Sequence, residues 1–365
     1  MEEKLKILYI NNTKDANPSY IVRNQIVADA LEKRGHFVDC RVSGISLEID
    51  DYDIMVFNRF YEGTLMEYVK FLKSIGKTVI YETDDNYEAI DENNPFMKIK
   101  DVGVLSSREL IGMADGVTVS TPELKAEIHN FFPEKEIYIV PNALDFTQYK
   151  IRKGGNKKLR IGFQGSHVHV QDLLMVVDAV AELQKEYGFE FYIFGIDDQP
   201  FKKLNKFCVD YKDKKWKWIE DFPRLYEKLE QMEYVHVPSA PYEEFRDKLS
   251  ELNLDIGIAP LMDTRFNRSK SCLKFYEYAA IGTVTLASKV EPYASEMDDC
   301  DLVKNRHDKW VAKLRKLITD EKYRNDRAYV QRAWVYDHRN IDNVAKNWEK
   351  VIFNIKNNEN NIIGS

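Results

Sequence analysis

Short runs rich in β-branched and aromatic residues alternate with helical patterns, and this alternation occurs twice along the chain. The first half contains six predicted strands, at 6–10, 37–42, 53–57, 78–82, 116–120 and 137–140. The second half restarts the pattern with predicted strands at 159–163, 189–194, 254–258 and 284–287. Strands separated by helices form parallel sheets, and six strands suffice for one doubly wound domain. We therefore expect an α/β protein with two such domains.

The boundary between these domains is predicted in a polar, basic stretch that contains Gly154 and Gly155. This stretch, 147–158, is interpreted as a linker between a domain at 1–146 and a domain at 159–335. The helical pattern continues through 306–355. We expect a last helix at 336–355 that packs back on the first domain, and a flexible tail at 356–365.

Composition excludes several classes of protein. A chain with 44% hydrophobic and 31% charged residues is neither disordered nor fibrous. No apolar run reaches about 18 residues, so no transmembrane helix is expected. The first residues lack the features of a signal peptide. The cysteines are far apart, so we expect no disulfide scaffold or zinc site and a cytoplasmic protein; they are Cys40, Cys208, Cys272 and Cys300.

The net charge of −7 is unevenly distributed. The first 150 residues hold 17 Lys and Arg against 26 Asp and Glu, which disfavours binding of nucleic acid or an anionic membrane there. A basic, aromatic stretch at 202–218 contains seven lysines. It is typical of an amphipathic helix with a solvated lysine face, followed by a strand near 216–219; nucleic-acid binding is the alternative.

The first candidate site follows the predicted strand at 159–163. Gly165 and Ser166 let a backbone approach an anion, and the helix that follows offers free N–H groups. His167 and His169 add possible donors. The alternative is a tight strand–helix turn with solvent-facing histidines.

The second candidate site is a basic segment after the strand at 254–258. Lys270 and Lys274 are four residues apart, so they share one face of a helix predicted to start near Ser269. Lysine at a helix N-terminus opposes the helix dipole, and an anionic ligand would explain its presence, with Ser271 adjacent. The alternative is a surface ion pair between Lys274 and Glu277.

The third candidate site follows the strand at 78–82. Adjacent carboxylates, Asp84 and Asp85, stand where ligands bind in open α/β sheets. They are suited to binding hydroxyl groups or accepting a proton. The alternatives are a helix cap near Asn86 and a divalent-ion site, although no further ligand cluster supports an ion.

Together these segments resemble a family-4 glycosyltransferase of the GT-B fold, over nearly the whole chain. In the first half the resemblance rests on 114–122 and 140–145. In the second half it rests on the Gly165-Ser166 loop, on 254–261 and on 270–282. The order and spacing of these motifs carry the resemblance, since none is decisive alone.

The resemblance implies two facing Rossmann-like domains with parallel sheets, a cleft between them and a helical C-terminal segment. The first domain would hold the acceptor, and the second domain would hold a nucleoside-diphosphate sugar, most simply a UDP- or GDP-sugar. It also implies retention of anomeric configuration without a metal or other cofactor. Asp84 and Asp85 would be catalytic residues at the acceptor side, and Glu277 would contact the ribose. The donor-binding residues would be Gly165, Ser166, His167, Lys270, Ser271, Lys274 and Glu277.

Two positions depart from the family pattern. Ser269 stands where the first of two glutamates is usual, and the loop after the strand at 159–163 lacks the usual basic pair. A non-catalytic sugar-nucleotide or glycan-binding protein and a sugar-nucleotide epimerase are therefore alternatives. The acceptor stays open among a glycan, a lipid-linked sugar and a small molecule. A modified DNA base is disfavoured by the acidic first half.

Overall fold

The computed structural model of the chain describes residues 3–11, 18–42, 51–59, 65–90, 100–196 and 218–363. In this part of the chain the strands form two six-stranded sheets, with all pairings parallel. The first sheet has the order β2-β1-β3-β4-β5-β6, and the second has the order β12-β11-β10-β7-β8-β9. Two parallel sheets with surrounding helices confirm the predicted fold class.

The first domain alternates strands and helices as predicted. Its strands are β1 (Lys6–Asn11), β2 (Phe37–Val42), β3 (Ile54–Asn58), β4 (Thr78–Thr83), β5 (Gly116–Val119) and β6 (Ile137–Ile139). Its helices are α1 (Ile26–Lys33), α2 (Leu65–Ser74), α3 (Lys100–Met113) and α4 (Pro122–His129). A helical turn, Pro18–Tyr20, and a π-helical turn, Ile21–Gln25, precede α1.

The second domain repeats this plan. Its strands are β7 (Arg160–Gln164), β8 (Glu190–Phe194), β9 (Val235–Val237), β10 (Ile256–Ala259), β11 (Val284–Ser288) and β12 (Leu302–Val303). Its first helices are α5 (Val170–Leu174), α6 (Val177–Tyr187), α7 (Trp218–Leu229) and α8 (Tyr242–Glu251). The next are α9 (Arg265–Arg268), α10 (Leu273–Ala280), α11 (Tyr293–Glu296), α12 (His307–Thr319) and α13 (Glu321–Arg339).

Both sheets are covered on their two faces, because successive strand residues point to opposite sides. In β1, Ile7 and Tyr9 pack in one apolar cluster with α1, whereas Leu8 and Ile10 pack in another with α2 and α4. Buried strands of this kind read as continuous apolar runs. That is why the sequence predicted ten of the strands.

A last helix, α14 (Ile341–Ile363), runs from the second domain onto the first. Trp348 is fully buried and lies 6.2 Å from the ring of Tyr9 in β1. Glu349 bonds to Arg34 and to His36 at the end of α1. The C-terminal helix thus contributes to the core of the first domain.

One local prediction is wrong, and two strands were missed. The expected strand near 216–219 is helical where it is described, because α7 begins at Trp218. The strands β9 and β12 were missed, since three and two residues are too short to give a recognisable pattern. The remainder of the basic stretch, 202–217, lies outside the described residues.

Candidate active site

The carboxyl edges of the two sheets face each other, and the segment 269–271 lies where they meet. Ser269 is 1% exposed; its Oγ accepts from Asn86 Nδ2 at 3.0 Å and its carbonyl accepts from Thr121 Oγ1 at 2.8 Å. Ser271 Oγ accepts from Asn142 Nδ2 at 2.7 Å. Asn86, Thr121 and Asn142 each follow a first-domain strand. Ser269 and Ser271 therefore hold the two domains together.

Lys270 lies between two helices rather than within one. Helix α9 ends at Arg268 and α10 begins at Leu273, so the predicted helix starting near Ser269 is wrong, and Lys270 and Lys274 share no helical face. The Lys270 ammonium lies 4.7 Å from the centre of the Phe266 ring. Lys274 is in the first turn of α10, as the dipole argument required. Among the described residues, neither lysine has a carboxylate within ion-pair distance.

Lys274 contacts His169, in the turn that leads into α5, and His169 contacts Asp172, within α5. Lys274 Nζ lies 3.0 Å from His169 Nε2, and His169 Nδ1 lies 2.7 Å from Asp172 Oδ2. Asp172 Oδ1 also accepts from the backbone N–H of Met262 at 2.7 Å. The sequence analysis missed Asp172. The spacing of His169 and Asp172, three residues apart at a helix start, was the available signal.

Burial determines which of these groups carries charge. Burial lowers the pKa of Lys274 to about 8, and the neighbouring Lys270 acts in the same direction. Burial and the positive charge of Lys274 lower the pKa of His169 to about 4. Burial also lowers the pKa of Lys270. At neutral pH the site therefore combines a neutral His169 with the ammonium group of Lys274.

Glu277 lies on α10 and is 6% exposed. Its Oε2 accepts from Gln164 Nε2, at the end of β7, at 2.8 Å. Burial raises the pKa of Glu277 to about 8, against the opposing effects of Lys274 and the Gln164 hydrogen bond. The carboxylate is thus buried in the second domain, and the alternative of an exposed Lys274–Glu277 ion pair does not describe it. Gln164 ends β7, directly before Gly165, and is not among the residues predicted for the site.

The Gly165-Ser166-His167 loop packs more closely against neighbouring residues than the sequence indicated. The Gly165 N–H already donates to the Phe194 carbonyl at 2.9 Å. A Cβ at Gly165 would lie 3.1 Å from that of His169, so this position requires glycine for close packing. Ser166 and His167 are exposed, and His167 opens a 3-10 turn that leads into the five-residue helix α5.

Asp84 and Asp85 follow β4 and lie beside Arg59, which follows the neighbouring strand β3. Arg59 Nε is 3.4 Å from Asp84 Oδ1, and its Nη2 pairs with Asp85 Oδ2. The Arg59 backbone is left-handed, with φ 51°, which is uncommon for a residue with a side chain. Neither aspartate caps the turn at Tyr87–Ala89, since its N-cap is Asn86 and no side chain bonds there. The sequence analysis missed Arg59, although its position at the end of β3 was a usable signal.

A buried polar network lies beneath these aspartates. Arg23 and Glu82 are 1% and 0% exposed, and Arg23 Nε donates to Glu82 Oε1 at 2.7 Å. Arg23 Nη1 also donates to the Val140 carbonyl at 2.7 Å and to Asn142 Oδ1 at 2.9 Å. Burial raises the pKa of Glu82 to about 7, against the effect of Arg23. Because Asn142 contacts Ser271, this network extends to the domain contact.

One cluster of described side chains has the spacing of metal ligands, and it lies away from the cleft. Asp298, Cys300 and Asp301 precede β12, at the amino edge of the second sheet. Arg327 pairs with Asp298 at 2.6 Å and with Asp301 at 2.5 Å. An arginine thus already compensates these carboxylates.

No protein-family model matches the sequence, and no curated protein matches it. Solved structures do match in fold. Sucrose-phosphate synthase from Thermosynechococcus elongatus aligns with a TM-score of 0.69 at 12% identity, over 96% of this chain and 99% of that one. Anabaena HepE in complex with UDP and glucose aligns with a TM-score of 0.66 at 9% identity, over 95% and 99%.

An alpha-glucosyltransferase in complex with UDP and a 13-mer DNA containing a HMU base is also similar. It aligns with a TM-score of 0.64 at 14% identity, over 97% of this chain and 100% of that one. These structures span the whole two-domain arrangement, and the chain has the GT-B fold that they share. Within the described residues, no helix is both long and apolar enough to cross a membrane.

Proposed function

We propose that this chain is a glycosyltransferase that moves a sugar from a nucleoside-diphosphate sugar to an acceptor hydroxyl. The observation that carries the proposal is the pair Lys270 and Lys274, cationic groups on the second-domain side of the cleft with no carboxylate partner in the described part of the chain. Both lysines are partly buried, and partly desolvating a cation without an anion is costly, so the pair is explained by an anionic ligand. A diphosphate supplies that charge.

In this proposal, Lys270 and Lys274 bind the diphosphate and stabilise the charge that grows on it as the sugar leaves. This is the role that a metal ion has in other transferases, so we propose transfer that is independent of metal and cofactor. The family-4 resemblance supports retention of anomeric configuration. UDP is the first nucleotide to test, because HepE and the alpha-glucosyltransferase were solved with it.

Glu277 would bind the ribose. Its carboxylate is oriented by Gln164 and lies within the charge field of Lys274. Gly165, Ser166, His167 and Ser271 would surround the donor. Of these, Ser271 already bonds to Asn142, so we assign it a role in holding the cleft walls together around the donor.

Asp84, Asp85 and Arg59 would act at the acceptor. Because Arg59 pairs with both aspartates, the cluster is better suited to positioning hydroxyl groups by hydrogen bonds than to removing a proton outright. In a retaining transferase the acceptor proton can leave through the departing phosphate. The aspartates would then orient the acceptor or stabilise positive charge on the sugar.

The test is release of nucleoside diphosphate from UDP- and GDP-sugars, with and without glycan and small-molecule acceptors. Acceptor-dependent release supports transfer. Release without an acceptor, with an epimerised sugar, supports an epimerase, and tight binding without release supports a binding protein. The K270A/K274A double variant should lose release, whereas K346A/K350A should retain it, because Lys346 and Lys350 have the same spacing but are exposed on α14.

A modified DNA base as acceptor is testable in the same assay. The similar alpha-glucosyltransferase was solved with such DNA, but the excess of nine negative charges over residues 1–150 disfavours approach of a DNA backbone to the acceptor side. Duplexes with hydroxymethylated bases belong in the acceptor panel. We expect them to be inactive.

A further inference from the structure

A hydrogen-bonded chain of three side chains lies behind the cleft and consists of Asp172, His169 and Lys274. The chemistry of each group determines which atom of each pair is the donor. Asp172 Oδ1 accepts from the Met262 N–H and its Oδ2 lies 2.7 Å from His169 Nδ1. A carboxylate only accepts, so His169 Nδ1 carries the proton. His169 Nε2 must then accept, and Lys274 Nζ donates to it at 3.0 Å.

Close packing holds Asp172 and His169 of this hydrogen-bonded chain in place. Asp172 is 3% exposed and joins the start of α5 to the loop after β10. His169 is packed against Gly165, where a Cβ would lie 3.1 Å from the histidine Cβ. The histidine uses one N–H of the ammonium and leaves two for a ligand. The lysine is therefore held by one bond in a fixed direction.

We propose that Asp172 and His169 are positioning residues that aim the Lys274 ammonium at the donor diphosphate, and that diphosphate binding is coupled to proton uptake at Lys274. This inference rests on the proposed function, because it takes the anionic ligand to be a nucleoside diphosphate. It assigns to Asp172 and His169 a role that the family resemblance does not provide.

The charges around Lys274 set the sign of the coupling. Asp172 and Glu277 favour the ammonium, while burial and Lys270 oppose it, and together they lower the pKa of Lys274 to about 8. His169, whose pKa is lowered to about 4, stays neutral and remains an acceptor. A bound diphosphate favours the ammonium and raises the pKa of Lys274. Above pH 8 Lys274 of the free protein is therefore only partly protonated. Diphosphate binding is then accompanied by uptake of a proton from solvent at Lys274.

A histidine with only a structural role would predict something different. In that case His169 and Asp172 would tie α5 to the loop after β10, and their loss would lower the melting temperature without changing proton uptake. Loss of a positioning bond instead changes the affinity for the anion, and a side chain that keeps the acceptor atom restores it.

Isothermal titration of UDP and of GDP, in two buffers of different ionisation enthalpy, measures the proton count directly. We expect uptake of a sizeable fraction of a proton at pH 8.5 and a smaller fraction at pH 7.5, where Lys274 of the free protein is already largely protonated. H169L, which removes the acceptor, should weaken nucleotide affinity about tenfold at pH 7 if one charge-assisted bond is lost or misdirected. H169Q, which keeps an acceptor oxygen, should recover most of that loss.

The controls separate this inference from the proposed function. K274M should lower proton uptake at pH 8.5 in the nucleotide binding that remains, and D172N should shift the onset of uptake to lower pH, because one carboxylate that favours the ammonium is gone. If neither UDP nor GDP binds the wild type, the proposed function fails. If either binds without proton uptake at pH 8.5, or folded H169L binds like the wild type, this inference is overturned while the proposed function stands.

Discussion

The two walls of the cleft treat charge in opposite ways. On the first-domain wall, Asp84 and Asp85 are paired with Arg59, and Glu82 is paired with Arg23. On the second-domain wall, Lys270 and Lys274 lack a carboxylate partner among the described residues, and buried Glu277 is bonded only to an amide. The charged side chains of the first wall pair with one another, whereas the two lysines of the second wall, within the described residues, are left to pair with a ligand.

This difference has an energetic consequence. Removing one member of a buried ion pair leaves an uncompensated charge and destabilises the fold. Removing a buried charge that has no partner relieves a desolvation cost and affects the ligand instead. Substitutions on the first wall should therefore act mainly on stability or transfer, and those on the second wall on nucleotide binding.

The largest effect is expected at the buried pair Arg23–Glu82. R23L should destabilise the first domain by about 3–5 kcal/mol, because Glu82 is 0% exposed and would lose its cation. Thermal and denaturant unfolding measure it. The double variant R23L/E82L should recover much of the loss. An R23L protein as stable as the wild type would show that the pair is not structural.

Loss of both unpaired lysines should come next. K270A/K274A should weaken nucleoside diphosphate binding by about 1–3 kcal/mol for each charge-assisted hydrogen bond removed. The melting temperature should hold or rise, because two partly buried cations are removed. Titration of UDP and GDP gives the affinities, with K346A/K350A as the control. Unchanged affinity would contradict the donor assignment.

The acceptor-side aspartates should affect transfer more than binding. D84N or D85N should lower the rate of transfer about tenfold or more, if one charged hydrogen bond to the acceptor or transition state is lost. Nucleotide affinity should change little, since the donor lies on the other wall. The exposed D337N on α13 is the matched control. Full transfer by both D84N and D85N would end this assignment.

The smallest change in affinity is expected for E277Q. Below pH 8 the buried Glu277 is largely protonated, so an amide replaces a neutral group and affinity should fall only a few-fold near neutrality. A carboxyl group whose pKa is raised in the fold makes the folded protein less stable as pH rises from the group's unfolded pKa to about 8. E277Q should therefore raise the melting temperature more at pH 8 than at pH 5. A lower melting temperature for E277Q than for the wild type at pH 8 would contradict this.

The sequence predicted the fold well because buried parallel strands are continuous apolar runs, as in β3 and β4. It failed where an element is too short for a pattern, as in β9, and where a helix starts late, as α10 does after Lys270. Lys274 could be named from local spacing, and Glu277 could be named from the family resemblance. Arg59 and Asp172 were missed although each had a local signal, because Asp84, Asp85 and the Met262 N–H, which define their roles, are distant from them in the sequence.

A structure of the protein with UDP or GDP bound tests the central claim most directly. The account predicts diphosphate oxygens within about 3 Å of Lys270 Nζ and Lys274 Nζ, with His169 still bonded to Lys274 and the ribose near Glu277. Nucleotide bound elsewhere, or in the cleft with both ammonium groups directed away from the diphosphate, would contradict it.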